Sequence, residues 1–200
     1  MKWLTEADLA GIYGAPGPAA LRKVAPHLTP EYADFLRRAR FCVLATVGPD
    51  GTDASPRGDD GPVVRIVDDA HLALPDWRGN DRIDSLRNIT RDPRVSLMFM
   101  LRGSNTIIRI NGHARLTDDA ALRASFDRDG RTPRTVIVVQ IGEIYFQCAR
   151  AMLRSALWSG SDDSEGLASP GQILASLTDG EVGGTRYDAE WPERAALTMW

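Results

Sequence analysis

Only two cysteines occur in the 200 residues, Cys42 and Cys148, each in an apolar strand-like run with no second cysteine nearby. That excludes a disulfide framework and leads us to expect two buried, reduced thiols in a cytoplasmic protein. Histidine is also scarce. His27, His71 and His113 stand singly, with no metal-ligand grouping, and Ser55, Ser104 and Ser155 have no histidine at a catalytic spacing. No metal site and no catalytic triad is expected; His113, on a polar strand face, is the one histidine with a candidate role beyond packing. No apolar run approaches the ~18 residues of a membrane-spanning helix, and the opening MKWLTEADLAG lacks the continuous apolar core of a secretory leader. A basic excess is missing as well. The net charge is −3 and the pI near 5.6, which argues against a nucleic-acid partner.

What is present is an ordinary globular balance, 43% apolar and 26% charged, in a length that suits one domain with appendages. A helix is expected over residues 5–14, with Thr5 as cap and Asp8 as the capping-box acid, and a helical turn over 18–26. Thr29-Pro30-Glu31 starts a further helix to about residue 40, with Tyr32, Phe35, Leu36 and Ala39 on one face. FCVLATV (41–47) reads as a strand covered on both faces. Gly48-Pro49-Asp50-Gly51 reverses it into the polar strand that ends at Pro56-Arg57-Gly58. Strands at 63–67 and 72–74 form a second hairpin across Asp68-Asp69. A helix over 81–91 follows, then a core strand at 95–101 and an alternating strand at 106–116 whose polar side carries Arg109, Asn111, His113 and Arg115. A helix over 118–126 precedes the longest strand, 135–147, with Gly142 a bulge or bend. About seven strands with short connections mean antiparallel neighbours and a closed or nearly closed barrel. Beyond it, a helix sets Arg150, Arg154 and Trp158 on one face, a polar Gly/Ser-rich loop covers 159–171, a short helix spans 171–178, and the tail is irregular.

The chain is organised around residues 53–88. There a strand ends in Pro75-Asp76-Trp77-Arg78-Gly79-Asn80 and feeds a helix start near Asp81. The free N–H groups of a helix N-terminus, the macrodipole and two arginines, Arg78 and Arg82, suit an anion, and Gly79 allows close backbone approach. The plainer reading of the same residues is an Asn80 or Asp81 N-cap with Asp84 complementing the dipole, and Asp76, Asp81 and Asp84 crowd the arginines. Local chemistry alone leaves both readings open.

Taken together and in this order, FCVLATVGPDG, PDWRGNDRIDSLRNITRDPRVSLMF and IIRINGHARL resemble the pyridoxamine 5′-phosphate oxidase-like flavoproteins over residues 35–150. The resemblance implies a mainly β fold with helices, an antiparallel FMN-binding split β-barrel at 41–150. N-terminal helices (1–40) and a C-terminal helical extension (151–200) flank it. By position, Arg82 matches the residue that binds the FMN phosphate, with Asn80 and Ser85 beside it and Arg78 assisting. Pro75 and Asp76 match backbone at the flavin edge, and Arg57 matches an arginine near the ribityl phosphate. A homodimer with FMN at the interface is implied, in which Thr106 or Arg109 reaches the partner's cofactor. Arg154 and Trp158 are further candidates beside the ring, as is Trp77. The oxidase's C-terminal substrate motif is not recognisable; Cys148-Ala149-Arg150 and Arg154-Ser155-Ala156-Leu157-Trp158 resemble a subgroup instead. The expected function is an FMN-dependent oxidoreductase acting on a small molecule, with NAD(P)H a candidate donor. The alternatives are a flavin carrier or sensor without turnover, a barrel holding haem or a deazaflavin, and a structural dimer module.

Overall fold

Apolar alternation becomes seven strands of one sheet. The computed structural model describes all 200 residues, Met1–Trp200. The strands are β1 (Phe41–Gly48), β2 (Gly51–Gly58), β3 (Arg65–Ile66), β4 (His71–Asp76), β5 (Arg94–Met100), β6 (Ile107–Thr117) and β7 (Thr135–Gln147). They lie in the order β2-β1-β5-β6-β7-β4-β3, every neighbouring pair antiparallel. The architecture is a split β-barrel with helices, as the resemblance implies. Closure is corrected: β2 and β3 remain the two edges. Closing the sheet would require them to pair, but β3 is only two residues long. Pro56 in β2 has no N–H to donate, so it is at home on an edge.

The core forms where the strands' inward faces meet α3 (Pro30–Leu36) and α4 (Asp84–Arg91). Leu44, Leu72, Leu97, Phe99, Ile110, Ile137, Val139 and Ile144 are wholly removed from water, with Leu36 closing one side and Ile89 another. Each such side chain contributes about 1.5–3 kcal/mol of transfer free energy. β1 departs from expectation: Cys42, Leu44 and Thr46 are buried, but Val43, Ala45 and Val47 are only half-buried, so one face alone is fully covered. Where α4 crosses β1, Asn88 Nδ2 donates to Thr46 Oγ1 at 3.1 Å. A Cβ at Gly48 would lie 2.1 Å from Asn88 Oδ1, so a larger residue there would displace the Asn88 amide. The bulge expected at Gly142 is present: Asn111 pairs with Glu143 and Gly112 with Ile141, leaving Gly142 without a partner.

The remaining helices are α1 (Glu6–Ile12), α2 (Pro18–Arg22), α5 (Ala120–Ala124), α6 (Arg150–Ser155), α7 (Pro170–Leu177) and α8 (Gly184–Leu197). Four expectations are corrected here. The tail is not irregular, since α8 runs 14 residues through Pro192 and packs against α7. α6 stops at Ser155, with Ala156 left-handed (φ 49°), so Trp158 lies beyond the helix rather than on its face. The helix expected over 118–126 shrinks to α5, and the strand expected over 63–67 shrinks to β3. No helix is long and apolar enough to cross a membrane.

Cys148 is exposed, not buried, because it falls just past the end of β7. Cys42 is buried in β1, and burial pushes its thiol up to about 12, with Arg57 pulling weakly the other way. An alkylating reagent is therefore expected to label Cys148 alone in the native protein and Cys42 only after unfolding. Peptide mass mapping checks this; native labelling of Cys42 would contradict it.

Candidate functional site

Edge strand β2 turns alternate residues inward, which places Asp53, Ser55 and Arg57 on one half-buried row. Opposite them, β4 ends in Pro75 and Asp76. Arg57 Nη1 donates to Asp76 Oδ1 at 2.6 Å and its Nε to Ser55 Oγ at 2.9 Å; the Arg57 and Asp76 side chains are each only 17% exposed. Farther along the row, Ser85 in the first turn of α4 is buried and donates to Asp53 Oδ2 at 2.5 Å. These contacts tie β2, β4 and α4 around a common space.

The loop between β4 and α4 rims that space. The helix begins at Asp84, not near Asp81, because Ile83 is left-handed at φ 52° and Asp81 at φ 60°. Left-handed backbone at a β-branched residue is a genuine outlier, and such strain concentrates at ligand sites. Asn80 Oδ1 accepts the backbone N–H of Arg82 at 3.1 Å, so Asn80 shapes the loop rather than capping the helix. Arg82 Nε pairs with Asp84 at 3.0 Å, and Arg134 Nη1 with Asp81 at 2.8 Å. Both pairs are largely solvent-exposed. Arg78 is exposed.

The space is a half-open cleft of about 1030 Å³. Arg57, Pro75, Asp76, Arg78, Asn80, Arg82 and Ser85 all line it. Thr106, Arg109, Arg154 and Trp158 lie outside it within a single chain. Arg109 sits over the Tyr145 ring at 5.4 Å, and Trp158 Nε1 donates to the Ser104 carbonyl at 2.9 Å, close in sequence to Thr106. Several lining residues escaped the sequence reading. Arg134 and Thr135, at the start of β7, reach the cavity because β7 pairs with β4, setting Thr135 opposite Asp76. Thr135 Oγ1 is buried there with no hydrogen-bond partner. Asp59, Met199 and Trp200 complete a further wall.

Residues 28–148 match the pyridoxamine 5′-phosphate oxidase family, which is more than half of the chain. The chain belongs to that family. The matched span contains every strand and most of the cavity lining. Among solved structures, a HupZ variant from Group A Streptococcus superposes at TM-score 0.50 with 18% identity, over 60% of this chain and 98% of that one. A putative pyridoxamine 5′-phosphate oxidase from Lactobacillus delbrueckii gives 0.49 with 23% identity, over 60% and 95%. An FMN-binding protein from Syntrophomonas wolfei gives 0.43 with 13% identity, over 58% and 88%. At these identities the likeness is one of fold. No curated protein matches the chain.

Acids outnumber bases along this cleft: Asp53, Asp59, Asp60, Asp76, Asp81 and Asp84 against Arg57, Arg78, Arg82 and Arg134. The balance that matters is local. Exposed ion pairs such as Arg82–Asp84 and Arg134–Asp81 contribute only about 0–1 kcal/mol. Arg57–Asp76 is mostly shielded from water and holds its geometry.

Proposed function

We propose that this chain is an FMN-dependent oxidoreductase acting on a small molecule, with FMN held in the cavity between β2, β4 and α4. The observation that carries the reading is the convergence of Arg57, Arg78, Asn80, Arg82 and Ser85 on one cavity. The donor set fits the cofactor. Arg82 and Arg78, exposed at the rim, are free to turn onto a phosphate with charge-assisted bonds. Pro75, at the end of β4, is buried and presents backbone to a planar ring, as the family resemblance implies. None of the three histidines lines the cavity, which favours a flavin over haem.

Bound FMN supplies the electron and hydride transfer, while the protein supplies position, charge and exclusion of water. Arg57, braced by Asp76 and Ser55, sets a fixed positive charge at the β2 wall. The strained loop 81–83 holds Arg82 between two left-handed residues at the rim. A homodimer is part of the same reading. Exposed Phe146, Leu153, Leu157 and Trp158 supply apolar surface near the end of β7 that a partner would cover. It assigns Thr106, Arg109, Arg154 and Trp158 to the partner's cofactor.

The test of turnover is anaerobic titration of the FMN-loaded protein with NADH and then NADPH, followed by the flavin absorbance. Bleaching, reversed by air or by an added acceptor, is the expected result. A loaded protein that stays oxidised with both donors would overturn the oxidoreductase reading and leave a flavin carrier.

A further inference from the structure

Beyond the anion-binding rim, the cavity has a wall whose residues come from distant parts of the chain. Asp59, just after β2, is its keystone, with a side chain only 3% exposed. It accepts the Trp77 indole N–H at 3.0 Å and the Gly61 backbone N–H at 3.3 Å, and it pairs with Arg128. Arg128 also pairs with Asp60, and its guanidinium sits over the Trp200 ring, 5.2 Å from the centroid. Trp200 in turn meets Trp77 edge-to-face, with centroids 5.1 Å apart and planes at 74°. Trp200 thus lies 123 positions from Trp77 in sequence, yet one buried carboxylate fixes both through direct contact or one intervening arginine.

Two indoles at 5.1 Å leave no room for a third ring between them. Set at 74° to each other, they present adjoining aromatic surface to the cleft, which both line. Flat heterocycles gain stacking and edge contacts on such a surface, worth about 0.5–1.5 kcal/mol beyond the area buried. Arg128 on the Trp200 ring holds the indole by a cation–π contact, so the surface is preorganised before any ligand arrives.

We propose that Trp200 is a ring-binding residue of this cavity, presenting with Trp77 an apolar wall to the planar part of its ligand. Arg128 is a positioning residue that acts through Trp200. The inference rests on the FMN reading and deepens it, since it assigns ring recognition to a residue outside the span that matches the family.

The experiment compares the wild-type protein with Trp200→Ala, Trp200→Phe and Arg128→Ala, each titrated with FMN and followed by flavin fluorescence. Inorganic phosphate serves as a competitor that carries no ring. Trp200→Ala is expected to weaken FMN roughly tenfold, in line with loss of stacking and buried area, and to relieve quenching of the bound flavin. Trp200→Phe should restore most of the affinity, and Arg128→Ala should fall between the two. Phosphate competition should be the same in all four proteins, which a general loss of structure would not produce. Wild-type protein that binds no FMN overturns the cofactor reading itself. Wild-type protein that binds FMN, with Trp200→Ala equal to it in affinity and quenching, overturns the role of Trp200 alone.

Discussion

Arg57→Ala is expected to lower stability by about 1–3 kcal/mol, the usual cost of leaving a mostly buried polar or charged partner unpaired. The side chain it removes donates to both Asp76 and Ser55, and Asp76 is only 17% exposed. The figure stays at the low end of what a fully buried pair would lose because water still reaches the carboxylate. For a chain of this length the melting temperature should fall about 2–4 °C per kcal/mol. The double variant Arg57→Ala/Asp76→Asn should recover part of the loss, since the stranded charge is then gone. FMN affinity should drop in both variants, because the positive charge on the β2 wall is absent from each. A melting temperature equal to wild type in Arg57→Ala would show that the pair does not hold β2 to β4.

Arg82→Ala should behave in the opposite way, with a large effect on FMN and almost none on the fold. Its side chain is 77% exposed and its sole ion pair is with Asp84, so stability should change by less than about 0.5 kcal/mol. A charge-assisted contact with a phosphate is worth about 1.5–3 kcal/mol, which corresponds to roughly 10–150-fold in dissociation constant. Riboflavin, which has the ring but no phosphate, should bind the variant and the wild type equally. Raising the salt concentration should weaken FMN binding in wild type more than in the variant, since exposed charges are screened. Full retention of FMN by Arg82→Ala would remove Arg82 from the site.

The two arginines also show how far the sequence could be read. Both sit in short segments whose neighbours matter: SPRG on an edge strand and PDWRGND before a helix. Their convergence follows from the curl of the sheet, which brings edge strand β2 opposite the end of β4 and the start of α4, and no local spacing encodes that. β7 was legible to the residue because a 13-residue segment rich in β-branched and aromatic residues, flanked by polar loops, fits little else. The start of α4 was not. Asn80 and Asp81 are good caps by residue type, yet Asp81 and Ile83 take left-handed backbone, and nothing in the identity of an isoleucine signals that.

Long-range contacts were the other blind spot. Thr135 is set beside Asp76 by strand pairing, and Trp200 beside Trp77 through Asp59 and Arg128. No local spacing encodes either. The tail misled for a different reason. Glycine and proline are poor helix formers by residue type, yet Gly183 at φ 102° serves as the cap of α8 and the helix continues through Pro192. Cys148 misled because β7 ends one residue before it, so the apolar run that suggested burial belongs to its neighbours.

The central claim is that this cavity holds FMN, and the visible absorption spectrum of the freshly purified protein tests it most directly. The reading should be repeated after adding FMN and on the supernatant after heat denaturation. The account predicts twin flavin bands, with the released chromophore identified as FMN rather than FAD. A colourless protein that also fails to take up added FMN would contradict it.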